Sequence, residues 1–232
     1  MTAGLSLPYD WSADFTFGAF NFGGFGGLNL VDSLNYHKLD PSRTNKESEY
    51  LYGGNLLSYV IAERTRMTPL EFAKMKLFPL LGIDPSTDID WQFNLDGMSF
   101  AWHGIFINVP SLAKVGMLYL QHGHASEDDI IVNDSFVLDS TKGTGLKNEY
   151  GYYGYGVWLG RDHEVDPAFP ERANFYCAGG LGDNVICIDE NLDRVFAMTS
   201  SNYIPALGGG EIDESMEALA EIVRDPTCSF LD

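Results

Sequence analysis

Three cysteines, Cys177, Cys187 and Cys228, are an odd number without framework spacing, so a disulfide scaffold is not expected. Basic residues are scarce as well: 14 Lys and Arg stand against 33 Asp and Glu, a formal net charge of −19. Such a field repels phosphate backbones and anionic lipid, which argues against a nucleic acid or a charged membrane surface as partner. No apolar run approaches the roughly 20 residues of a membrane span, so no spanning helix is expected. The first thirty residues lack the basic and apolar regions of a signal peptide. The compartment stays open, because any targeting peptide would lie upstream of Met1.

What is present is ample for a core. The chain has 232 residues, 45% of them hydrophobic and 13% aromatic, which excludes a disordered tail. FTFGAFNFGGFGGLNL interleaves Phe with Gly and Asn and reads as loop whose aromatics dock on a core. Residues 31–49, polar and carrying Pro41, read as a connection. A helix is predicted from Gly54 to Arg66, with Leu56, Leu57, Val60 and Ile61 on its apolar face. Thr68-Pro69-Leu70-Glu71 is a capping box with Pro at the first helical position. It starts a second helix through Phe72 and Leu77, closed by Gly82. A third helix is capped by Asn108, carries Ser111 and ends near Gly123.

From Tyr150 the pattern changes to short β-like runs, at Tyr153–Gly160, Ala173–Gly180, Val185–Asp189 and Val195–Thr199. Their close spacing predicts antiparallel hairpins, and an amphipathic helix over Glu211–Arg224 packs on the sheet. The expected class is α+β: one domain over 1–232, helical and looped over 1–149, then strands and a C-terminal helix over 150–232.

Several residue groups invite chemistry. Ser111-Leu112-Ala113-Lys114 is an S-x-x-K pattern, in which a lysine one helical turn away could draw the proton from a serine hydroxyl. Its bland reading is a serine in the first helical turn, where hydroxyls satisfy free N–H groups, and a solvated lysine. Ser140-Thr141-Lys142-Gly143-Thr144-Gly145 is polar and glycine-rich and reads as loop. His122 and His124, followed by Glu127, Asp128 and Asp129, lie past a helix end without a second ligand cluster, so no metal site is assigned. His37, His103 and His163 are isolated and support no serine–histidine triad.

YLYGGNLLSYVIAERTRMTPLEFAKMKLFPLLGI, INVPSLAKVGMLYLQHG, GYGVW and YCAGGLGDNVICIDENLDRVFAMTS, together with MTAGL at the start, carry a resemblance. In this order they resemble motifs of the serine β-lactamase-related family of class C β-lactamases, esterases, DD-peptidases and 6-aminohexanoate-dimer hydrolases. The resemblance covers Met1 to about Asn202. It implies a penicillin-binding-protein-like α+β fold and an acyl-serine mechanism on a small ester, amide or peptide-like substrate, with no cofactor. Tyr50 resembles the family's motif tyrosine, with Tyr52 as rival. Ala178-Gly179-Gly180 resembles the strand that lines the site, with the Leu181 N–H as an oxyanion donor. Glycine suits that place because a substrate carbonyl must approach the backbone, although it would equally relieve crowding in a strand.

The same resemblance puts Ser111 on a structural helix beyond the tyrosine motif and the family's S-x-x-K upstream of MTAGL. The N-terminal strands and the serine helix are therefore expected to be missing. Two functions of different class follow: the C-terminal part of a serine hydrolase, or a non-catalytic pseudoenzyme that binds a ligand or partner. In either case the exposed sheet would be completed by a missing N-terminal segment or by self-association.

Overall fold

Thr68 organises the first helical pair. Its Oγ1 accepts from the Glu71 N–H at 3.2 Å, while Glu71 Oε2 accepts from the Thr68 N–H at 2.7 Å, closing the predicted capping box. Helix α1 (Gly54–Thr65) ends before Arg66, whose positive φ of 60° turns the chain, and α2 (Pro69–Lys76) follows with Pro69 in its first turn. Gly82, at φ 61°, ends the turns after α2. The computed structural model describes residues 5–6, 38–39, 54–94, 96–101, 104–126, 129–143, 147–148, 151–159, 174–180 and 184–200. Two compact units divide the chain at Ile107 and Asn108.

In the first unit, β1 (Leu5–Ser6) pairs with β2 (Lys38–Leu39), and β3 (Ile89–Trp91) with β4 (Ile105–Ile107), both antiparallel. The inward face of α1 differs from the expected one. Ser58 is 1% exposed and donates from Oγ to the Ser99 carbonyl at 2.7 Å, and the Tyr59 hydroxyl donates to Asp96 Oδ2 at 2.9 Å. Leu57 and Val60, expected inside, are 49% and 54% exposed. A buried carbonyl demands a donor, and here a short hydroxyl side chain supplies it where an apolar one could not.

The second unit is a sheet with a helix on it. Helix α3 (Val109–Leu120) begins where Asn108 Oδ1 accepts from the Ser111 N–H at 2.9 Å, and Gly123 (φ 93°) follows its end. Next come α4 (Asp134–Ser140), β5 (Lys147–Asn148), β6 (Gly151–Tyr153), β7 (Trp158–Leu159), β8 (Phe175–Gly180), β9 (Asn184–Asp189) and β10 (Arg194–Met198). The six strands are antiparallel in the order β10-β9-β8-β7-β6-β5. Side chains alternate faces along a strand, and in β8 and β9 both faces are buried, each in its own cluster. Val157, Leu159, Tyr176 and Ile188 form one cluster with Tyr119 and Leu120 of α3. Phe175, Cys177, Val185 and Cys187 form the other, with Phe196 and Met198. A Cβ on Gly116 of α3 would stand 2.5 Å from Val195 Cγ1 and 2.7 Å from Ile186 Cγ2, so the missing side chain is what lets helix and sheet touch.

Three expectations change here. The strand predicted over Tyr153–Gly160 is two strands, because Gly154–Val157 make a hairpin turn closed by the Gly154 N–H to the Val157 carbonyl at 2.8 Å. Ser140 and Thr141, predicted as loop, end α4 fully buried, their hydroxyls bonded to carbonyls one turn back. Cys177 and Cys187, opposite each other on β8 and β9, are joined in one cross-strand disulfide, not a framework. The β8–β9–β10 meander matches the predicted strands within two residues at each end. The helix expected at Glu211–Arg224 lies outside the described residues.

Candidate functional site

β8 ends in the three residues singled out from the sequence, Ala178, Gly179 and Gly180, and the last two are exposed. Ladder geometry fixes where their backbone groups point. The Cα atoms of Cys177 and Cys187 are 4.1 Å apart, the close spacing of a pair that exchanges no hydrogen bonds. Alternation then makes Ala178↔Ile186 and Gly180↔Asn184 the bonded pairs, and turns the N–H and C=O of Gly179 away from β9.

On that outer side the described residues give β8 no paired neighbour past Cys177. The register with β7 ends at Trp158↔Cys177, and no hydrogen bond from the described residues reaches Gly179 there. The chain preceding β7 bends off toward β6 through Gly156, whose φ of 88° suits the third position of a type II turn. Among the described residues this leaves a notch, with the outward N–H and C=O of Gly179 at its floor and no Cβ above them. Crowding does not explain the second glycine: a Cβ on Gly180 would meet nothing closer than the Asn184 carbonyl oxygen at 3.6 Å, an ordinary contact. Such an edge can accept an extended amide as one more strand, bonding its N–H and C=O in pairs. Sequence reasoning took the flanking turn for strand; the two glycines bracketing Tyr155 were the available signal.

The remaining candidates fall elsewhere. Ser111 is 1% exposed, enclosed against the core in the first turn of α3, with Lys114 half-buried one turn on. An acyl-transfer nucleophile must meet a carbonyl carbon, and an enclosed hydroxyl offers no approach. His124 Nε2 lies 2.9 Å from Asp134 Oδ1 in the first turn of α4, and the hydrogen bond from His124 holds the Asp134 carboxyl below its usual 3.8. Among the described residues no three His, Cys, Asp or Glu side chains converge as metal ligands. Burial raises the Tyr119 hydroxyl above its usual 10.0, the wrong direction for a base. Tyr50, Tyr52, Leu181, Glu127, Asp128, His37, His103 and His163 lie outside the described residues. Among those described, no helix is long and apolar enough to cross a membrane.

No family model and no curated protein matches the sequence. Solved structures do. A protein from Bacillus anthracis that carries the name of a 6-aminohexanoate-dimer hydrolase superposes with a TM-score of 0.63 at 16% identity. The match covers 95% of this chain and 58% of that one, so the chain spans under two thirds of its neighbour's length. A Bacteroides dorei DSM 17855 protein named for β-lactamase matches at a TM-score of 0.40 and 15% identity, over 59% of this chain and 48% of that one. Helices followed by an antiparallel sheet, with α3 laid on β9 and β10, give this chain an α+β fold that it shares with the Bacillus anthracis protein.

Proposed function

We propose that the chain contributes the strand side of a serine acyl-transfer site that cleaves a small ester or amide. The observation that carries this reading is the outward backbone of Gly179 at the open end of a central strand. An extended substrate would pair with Gly179 and set its scissile carbonyl beside the Leu181 N–H, the proposed oxyanion donor. A serine oxygen attacks that carbonyl carbon, the C–N or C–O bond breaks, and the leaving group takes up the serine's proton. Tyr50, or Tyr52 in its place, is the proposed carrier of that proton. Water then hydrolyses the acyl-serine. The enclosure of Ser111 and the 58% span of the fold neighbour support a nucleophile other than Ser111, supplied by a segment outside this sequence. A linear amide such as the dimer of 6-aminohexanoate, the compound in the neighbour's name, is the natural first substrate to try.

A second reading, a non-catalytic module of the same fold, draws on apolar side chains left in solvent on the first unit: Leu57, Val60, Phe93, Ile105 and Phe106. Exposed apolar surface on this scale is commonly covered by a partner or a further segment of chain.

Both readings meet one experiment. The chain is treated with a fluorophosphonate and mapped by mass spectrometry, and separately titrated with 6-aminohexanoate linear dimer while backbone amides are followed by NMR. The proposal expects shifts at Gly179 and Gly180 and no adduct on Ser111. An adduct on Ser111, abolished in Ser111→Ala, would overturn the assignment of the nucleophile. Shifts confined to α1 and β3–β4 would favour the binding module.

A further inference from the structure

The turn beside the Gly179 notch presents an aromatic pair that the reaction as described does not use. Tyr155, at the tip of the β6–β7 turn, is 52% exposed, and its ring centroid lies 6.0 Å from that of Phe136 on α4, itself 47% exposed, with the planes tilted by 43°. The tip is held firmly. Its neighbour Gly154 packs so closely on the Ser140 carbonyl that a Cβ would overlap it, and the Tyr155 N–H donates to that same carbonyl at 3.1 Å. Gly156 has open space around it and is required only by its positive φ. One backbone arrangement is thereby imposed, and it holds two half-exposed rings together in water.

Register places this pair. Two steps beyond Trp158↔Cys177, the 155–156 tip stands in line with Gly179–Gly180, where the chain turns away from β8. A substrate extended along Gly179 would therefore carry its next group toward the Tyr155–Phe136 rings. We infer that Tyr155 and Phe136 form an aromatic subsite that selects substrates bearing a flat or broad apolar arm beside the cleaved ester or amide. Stacking against such a pair is favourable by about 0.5–1.5 kcal/mol beyond burial, which converts to on the order of 2- to 10-fold in affinity. This inference rests on the reading of the β8 edge given above and adds to it the kind of substrate preferred.

Two probes separate the claims: N-acetyl-glycyl-glycinamide, with no aromatic arm, and N-phenylacetyl-glycyl-glycinamide, which has one. Each is titrated into the chain and followed at the Gly179 and Gly180 amides, in wild type, Tyr155→Ala, Tyr155→Phe and Phe136→Ala. Wild type should bind the phenylacetyl probe roughly 2- to 10-fold more tightly. Tyr155→Ala should erase that preference without altering the acetyl probe, Phe136→Ala should reduce it, and Tyr155→Phe should keep it. Equal binding of both probes, or a preference that survives Tyr155→Ala, would overturn the subsite while leaving the β8 edge as the substrate site. If neither probe moves the Gly179 or Gly180 amides, the edge reading falls and the subsite with it.

Discussion

Helices α1 and α3 have twelve residues each and both bury a serine, yet they are held in different ways. α3 approaches its sheet so closely that position 116 admits no side chain, and Leu118 is buried beside it. In α1, the Ser58 hydroxyl reaches inward to the Ser99 carbonyl and the Tyr59 hydroxyl bonds the exposed Asp96 carboxylate, while Leu57 and Val60 stand in solvent. Close packing anchors one helix and directed hydrogen bonds the other. The lesson is that an apolar face identified by spacing shows what a helix could bury, and a buried polar group can still claim the inside.

That contrast can be broken deliberately. The largest effect is expected from Gly116→Val, which drives a branched side chain into Val195 and Ile186. Overpacking of this kind costs about 3 kcal/mol in a urea melt, and a loss under about 0.5 kcal/mol would show the helix free to lift. Ser58→Ala comes next, at about 1–2 kcal/mol, because the Ser99 carbonyl is left buried without its donor. A neutral result there would remove the hydrogen-bond account of α1.

Leu57→Ser and Val60→Ser should each stay within about 0.5 kcal/mol, since both side chains are already in water. They should also lower hydrophobic-dye binding, and an unchanged dye signal would count against an open α1 face. Smallest is Asp134→Asn, a difference present near neutral pH that disappears in acid. The Asp134 carboxyl is held below 3.8 in the folded chain, so its contribution is present above that pH and is lost as pH falls through the lowered value. The Asn variant should lose stability less steeply below about pH 4 than wild type does.

Much of this was legible in the sequence, for identifiable reasons. The Thr68–Glu71 box and the Asn108 cap are local chemistry, complete within four residues, and the β8–β10 meander announces itself through short β-like apolar runs split by turn residues. Ala178-Gly179-Gly180 was found as a motif, although its outward N–H and C=O needed the register to be seen. What escaped depended on distant partners. Tyr-Gly-Tyr-Gly keeps a two-residue alternation straight through the β6–β7 turn, so the pattern could not mark the bend. DSFVLDS looks polar, and is helical because Val137, Ser140 and Thr141 are buried together. An odd cysteine count hid the Cys177–Cys187 pair, which exists because the strands set two of the three opposite each other.

That disulfide also bears on how the hairpin could be re-engineered. It ties β8 to β9 at the third of their six paired positions, so the strands cannot slip past each other whatever the connecting segment does. Residues 181–183 are therefore relieved of setting register, a task a hairpin loop normally performs. Lengthening that segment should be tolerated at a closure cost of only about 0.6 kcal/mol per doubling. The end of β8 is thus a place where a longer, differently shaped loop could be grafted beside the Gly179 edge without disturbing the strand beneath it.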